Sequence, residues 1–555
     1  MKIKIQSSQD SFRDLREGGA YYIDKTDIIR EYLEEHFEKA VMFTRPRRFG
    51  KSLTMTMLRD FLDIRQDSKS IFEGLKIMNY PELIREYMNQ YPVIFISLKE
   101  VFGQDSDSIY EAFCLTVANA LKELDDILDA EEIRESDKVL FKKIEYQEAN
   151  KANTIAALDL LARMLYDHYQ KPVFVIVDEY DVPMAKAYGT PAYDQVRDMI
   201  ERMLSYVCKT NNNVKGVILS GCLYTIKNST YTGVNNVVPY TVLSPLFASS
   251  IGFTDENVRK LLEDAGLSDL YDTVEEWYDG YIFGRERMYC PWDVLSFVKS
   301  KLDGSYSEAM GPESYWVRTS ETFLIHDFLG RTAAANERFE QLLAGNTIDC
   351  SVNKFVSYHR MHESNENMWS ALVETGYLTK AVTEEMPLMP LKIPNKGIQM
   401  VFRQEVWNYF NDKVDNVFVR DLVNALWAGE IQKAEAALNQ ILEPTLSFYH
   451  EYHEYSYHLI LDGFFTGLGY RVQSERETGY GRSDLIIPDP ARQRCLLLEL
   501  KHVKEEAEME TALHEAESQI IKKKYESELL YEGYPTRIQY GMVFCDKRTR
   551  ITKVH

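Results

Sequence analysis

The stretch Val41–Ser52 reads VMFTRPRRFGKS. An apolar run, VMF, leads into a basic turn, and Gly50, Lys51 and Ser52 close it. In the following stretch, SLTMTMLRDFL, Leu53, Met57, Leu58 and Phe61 recur at helical spacing. The pattern predicts a buried strand, a turn and a helix. At such a turn, backbone N–H groups and the positive end of the helix dipole favour phosphate. Lys51 would then reach the β- and γ-phosphates, and Ser52 would ligate Mg²⁺. The usual spacing of such a loop opens on glycine, and Arg45 stands in that place. Taken alone, the turn fits a nucleotide site and a plain basic turn equally well.

A second element tips the balance. KPVFVIVDEYD (171–181) is a buried-strand run that ends in acids. In a phosphate-loop ATPase such a strand is expected beside the strand that carries the loop. Asp178 would hold Mg²⁺ through water, and Glu179 would polarise the attacking water. The bland alternative is that both acids only turn the chain. Apolar runs at 41–44, 93–98, 173–177 and 217–220 alternate with amphipathic stretches. That rhythm predicts a parallel sheet flanked by helices, hence an α/β class.

At 555 residues the chain is too long for one core, so roughly two to four domains are expected. The expected borders are 1–251 for the phosphate-loop sheet domain, 252–435 for a helical lid or linker, and 436–555 for a small α/β domain. The segment LKIPNKG (391–397) reads as a turn in the middle region. No apolar run is long enough to span a bilayer, and MKIKIQSSQD lacks an apolar signal core. The seven cysteines are scattered singly, which suggests neither zinc nor disulfides and fits a reducing cytoplasm. The net charge of -22 argues against a surface that clings to nucleic acid throughout. From 451 to 555 the balance is 15 Lys and Arg against 18 Asp and Glu, so a basic face has room there.

That last stretch holds a second constellation, GYGRSDLIIPDPARQRCLLLELK (479–501). Asp484 opens one strand run, and Glu499 and Lys501 end the next. Period two puts Glu499 and Lys501 on one face, and a hairpin would bring Asp484 alongside. Two carboxylates on adjacent strands can chelate Mg²⁺, with Mn²⁺ as a substitute, and the lysine can orient water or stabilise charge on a phosphate. This is the D…ExK pattern of the PD-(D/E)XK nuclease superfamily.

Two resemblances add to these readings. SFRDLREGGAYYIDKTDII (11–29), RPRRFGKSL (45–53), VDEYD (177–181), SGCLYTIKNSTYTGVNN (220–236) and WYDGYIFG (277–284) resemble the AAA-ATPase-like family of bacterial proteins over about residues 5–300. In that family RPRRFGKS stands where the glycine-first loop would be. The resemblance implies ATP on Arg47, Arg48, Phe49, Gly50, Lys51, Ser52, Leu53 and Asp178, with Ser220 in a sensor position. Ser220 fits a plain small-residue strand end as well, and Arg47 and Arg48 fit a solvated turn. EYSYH (454–458), GYRVQSERETGYGRSDLII (469–487), LLLELK (496–501) and AESQIIKKKY (516–525) resemble the nuclease domain that accompanies this family. On that resemblance Asp484, Glu499 and Lys501 carry catalysis, Glu454 completes the metal shell, and Gln519 is an accessory on the later helix with Tyr525 nearby. Glu477 and Arg482 are weaker candidates. Glu454 and Gln519 fit solvated helix faces as well.

His359 with His362, and His450 with His453, have a spacing that suits metal but lack a third ligand. Lys522–Lys524 fits phosphate contact or a solvated face. The middle region, with YWVRTS (315–320) and TGYLT (375–379), resembles the family's helical segment and is assigned only coupling. The expected function is an ATPase gating a Mg²⁺-dependent nuclease on nucleic acid, DNA above RNA, with homo-oligomers left open. The alternatives are an ATP-dependent switch whose nuclease-like domain only binds nucleic acid, and an interaction protein with no nucleic-acid role.

Overall fold

The computed structural model describes residues 3–209, 211–226, 234–306, 311–315, 324–325, 338–339, 341–343, 345–384, 386–411, 416–445, 454–470, 472–478, 481–523 and 534–554. The chain divides into two compact units. The first takes Met1–Arg318 and Asp349–Gly397, and the second takes Thr319–Ile348 and Ile398–His555, so the region 252–435 contributes to both.

The first unit is built on a parallel sheet. Its strands are β1 (Ala40–Thr44), β2 (Val93–Ser97), β3 (Val173–Asp178), β4 (Val214–Gly221) and β5 (Val238–Tyr240), in the order β2-β3-β4-β1-β5. All four pairings are parallel. β1 and β3 are buried at every residue, as expected where helices cover both faces. The expectation that β3 lies beside β1 does not hold. β4 lies between them, with Phe43 level with Ser220 on one side and Val177 level with Leu219 on the other. Hydrophobic runs specify that a strand is buried but not its place in the sheet, and β4, apolar at 217–219, satisfies ladders on both flanks. The carboxyl ends Thr44, Ser97, Asp178 and Gly221 share one edge, where open α/β sheets bind ligands.

The middle of the chain is mostly helical but also holds two small sheets. One has the order β6 (Phe253–Thr254), β8 (Glu286–Tyr289), β7 (Tyr281–Phe283), and the other β10 (Thr379–Lys380), β11 (Met389–Lys392), β9 (Ile348–Cys350). The LKIPNKG segment begins inside β11 and ends in a helix from Lys396, so only its centre is a turn.

In the second unit a five-stranded sheet runs β12 (Gln473–Thr478), β13 (Gly481–Asp489), β14 (Arg494–His502), β15 (Thr536–Cys545), β16 (Arg548–Val554), in that order. Only β14 and β15 pair in parallel. Their crossover contains the helix Met509–Lys523, as parallel pairing requires. Leu496, Leu498 and Leu500 join a core with Tyr457, Ile460 and Phe464 of the helix Glu454–Gly467. Cys495 and Leu497 face Ile520 of Met509–Lys523. No helix among the described residues is long and apolar enough to cross a membrane, and all seven cysteines are free.

Candidate nucleotide and nuclease sites

The turn after β1 delivers the chain into helix α1 (Lys51–Leu62). Gly50 caps it at φ 91, a left-handed conformation that suits glycine. No side chain caps the helix, so the first-turn N–H groups are not taken by a capping oxygen. Lys51 is 3% exposed, and its Nζ lies 3.2 Å from the carbonyl oxygens of Arg45 and Pro46. Cys222 Sγ and Glu179 Oε1 are each 3.6 Å from it. Burial opposes its charge, but Cys222 and the carboxyls of Glu179, Asp181 and Asp178 outweigh that and raise its pKa.

Asp178 ends β3 and is buried. It accepts hydrogen bonds from the Ser220 and Ser52 hydroxyls, and Ser97 Oγ lies 3.4 Å away. Burial and then Glu179 raise its pKa, against the pull of Ser220, Ser52 and Lys51. Glu179 sits at φ 52, strained for a residue with a side chain, and its N–H donates to Ser220 Oγ at 3.3 Å. Ser220 therefore ties both acids to β4. Asp181 is buried, and its Oδ2 accepts from the N–H groups of Cys222 and Leu223 at 3.0 and 2.9 Å. Gly221 is glycine for space, since a Cβ would come 2.5 Å from Asp181 Oδ1.

The arginines divide. Arg45 is fully buried and turned inward, donating to the carbonyls of Thr44 and Tyr240 at 2.8 and 2.9 Å and to that of Phe247. Burial draws its guanidinium down to about 10, against Glu374, which leaves it charged at neutral pH. Arg47 is half-buried and faces Cys222, Tyr358, Asp181 and Glu179. Arg48 is stacked over Trp292 at 4.2 Å, away from that cluster. Phe49 packs its ring against Tyr281 and Phe283, each at 5.1 Å, so only its backbone can serve a ligand. Leu53 is half-buried on α1. The donor set fits a magnesium nucleotide: an uncapped helix start, a buried ammonium, and Ser52 and Asp178 in hydrogen-bond contact as hard oxygen ligands.

Beside the loop, Asp293 opens helix α2 (Pro291–Asp303) and is pushed up to about 7 by burial, against the Cys290 hydrogen bond and Arg48. Between its ordinary 3.8 and about 7, the folded chain keeps a proton that the unfolded chain has lost. Stability therefore falls as pH rises through that window and is level above it. Asp293→Asn is expected to flatten this slope by about one proton in melting curves taken across pH 4–8. An unchanged slope would mean that Asp293 titrates normally.

In the second unit, Glu499 is fully buried on β14 and Lys501, two residues on, is half-buried. Both share the face of Cys495 and Leu497, which helix α3 (Met509–Lys523) covers. Gln519 is half-buried on α3. Gly541, level with Glu499 on β15, lets α3 approach, since a Cβ there would lie 3.0 Å from Ala516 Cβ. Leu485 of β13 is level with Leu498, and continuing this antiparallel register by one residue sets Asp484 opposite Glu499. The Asp484 side chain lies outside the described residues, as do those of Glu477 and Arg482, whose backbones are level on β12 and β13. Tyr525, Lys524, His450 and His453 lie outside them as well. Glu454 is exposed at the start of the helix that packs on the other face of β14. His359 and His362 stack on Tyr193 and Tyr188 instead of facing each other as ligands.

Sequence reasoning passed over Tyr358 and Glu374. Tyr358 Oη donates to Asp181 Oδ2 at 3.2 Å, and Glu374 Oε2 accepts from Thr44 Oγ1 at 3.4 Å. Neither sits in a local motif; both reach the site only through the fold.

Residues 7–231 match the family described as Predicted AAA-ATPase, and residues 452–554 match the PD-(D/E)XK nuclease superfamily. A protein of Azotobacter chroococcum mcd 1, described as an uncharacterized protein in the vnfD 5' region, is 23% identical over 504 residues, which span 87% of each chain. The chain thus joins an AAA-ATPase-like region at its N-terminal end to a PD-(D/E)XK superfamily region at its C-terminal end.

Proposed function

We propose that the chain binds and hydrolyses ATP and that its C-terminal region cuts nucleic acid, DNA foremost, in a metal-dependent phosphodiester hydrolysis gated by the ATP site. The observation that carries this reading is the meeting of Lys51, Ser52, Asp178 and Glu179 at the carboxyl edge of one parallel sheet. Lys51 holds a buried positive charge for the β- and γ-phosphates. Ser52 and Asp178 would hold Mg²⁺, which when bound neutralises phosphate charge. Glu179, fixed by Ser220, orients the attacking water and takes its proton. In the second unit Asp484 and Glu499 would hold Mg²⁺ or Mn²⁺, and Lys501 stabilises charge on the attacked phosphate.

Lys51→Ala is expected to weaken ATP binding about 10- to 100-fold, the worth of one charge-assisted contact. A fluorescence titration with an ATP analogue reads this; unchanged affinity would sink the nucleotide assignment. DNA retention on filters at two salt concentrations tests the other half. Phosphate contacts give a steep fall with salt, whereas no retention at either concentration would favour an interaction protein without a nucleic-acid role.

A further inference from the structure

The segment Asp349–Gly397 belongs to the first unit, although the chain on both sides of it belongs to the second. It meets the candidate nucleotide site at two points. At the first, Tyr358, 4% exposed, donates to Asp181 just after β3, and Phe355 packs on Tyr224 with ring centroids 5.4 Å apart. At the second, Glu374, 2% exposed, ends the helix Asn365–Glu374 beside Thr44, with Arg45 as the charged group facing it. Thr241 and the Val242 N–H also donate to Glu374. Gly376, at φ 84, passes so close to the loop that a Cβ would lie 2.7 Å from Pro46.

Each carboxylate has one oxygen in use and one to spare. Asp181 Oδ1 and Glu374 Oε1 are buried and, among the described residues, have no hydrogen-bond partner. Leaving such an oxygen without a donor is costly. An arrangement of the loop or the segment that supplies a donor at either contact would therefore be favoured, and the two contacts would respond together.

We propose that Tyr358 and Glu374 read the state of the nucleotide site, and that Asp349–Gly397 carries this reading into the flanking chain of the second unit. The proposal rests on the ATP-site reading above. It names the coupling element and the two residues through which binding at Lys51 would be felt.

Hydrogen exchange on the full chain, with and without saturating ATP and Mg²⁺, tests it. Peptides within 355–376 are expected to slow about tenfold with ATP in the parent and not in Lys51→Ala. Tyr358→Phe and Glu374→Gln, each checked by melting curve, are expected to bring exchange back to within about twofold of the nucleotide-free rate. If the parent binds ATP through Lys51 and the segment exchanges as before, this inference falls and the nucleotide reading stands. Protection that survives both variants would equally overturn the role of the two residues. A parent that binds no ATP would overturn both readings together.

Discussion

Glu179→Gln is expected to bind ATP as the parent does and to hydrolyse it at least about 100-fold more slowly, the lower range for losing a general base. Glu179 follows the end of β3 and lies beside Lys51. Its backbone is held at φ 52, its N–H is tied to Ser220, and its carboxylate is 3.6 Å from the Lys51 ammonium. The amide keeps the side chain's shape and its contact with Lys51, but it cannot take a proton. Binding affinity and single-turnover hydrolysis, measured on one preparation, separate the two effects. Hydrolysis at the parent rate would move the role to Asp178 or Asp181, the other acids of the same turn.

The second large effect concerns β13 and β14. Asp484→Asn and Glu499→Gln are each expected to lower nucleic-acid cleavage by at least about 1000-fold, as expected when a hard anionic metal ligand is lost. ATP hydrolysis should stay within about twofold, because the changes lie in the second unit while Lys51 and Glu179 lie in the first. Nucleic-acid binding should persist, since phosphate contacts come from basic side chains and backbone amides. Glu499 is fully buried, so its variant is compared with the parent by melting curve before activity is read. Cleavage at the parent rate by Asp484→Asn would remove this face of the sheet from consideration as the active site.

What could be read before the structure was known follows from how local each signal is. The strands at 40–44, 93–97, 173–178 and 214–221 each hold a run of three to five consecutive apolar residues, and burial on both faces writes those runs directly into the sequence. Their order is not written there, so the place of β4 between β1 and β3 is legible only in the fold. β5 is only Val-Pro-Tyr, and β6 to β11 are two to four residues each, so pairing partners far along the chain decide them. β16, RTRITKV, has only Ile551 and Val554 as apolar residues, so it carries no hydrophobic pattern of its own. Among site residues, Lys51, Ser52, Asp178 and Glu179 follow strand ends at recognisable spacing. The inward turn of Arg45 and the stacking of Arg48 on Trp292 depend on partners some 200 residues away. Tyr358 and Glu374 have no local signature at all.

DNA cleavage with Mg²⁺, measured with and without ATP for the parent and for Lys51→Ala, tests the gated nuclease most directly. Cleavage is expected to be at least about tenfold faster with ATP in the parent, with no response to ATP in Lys51→Ala. Equal cleavage with and without ATP would contradict the gating, and no cleavage under any metal or nucleotide condition would contradict the nuclease.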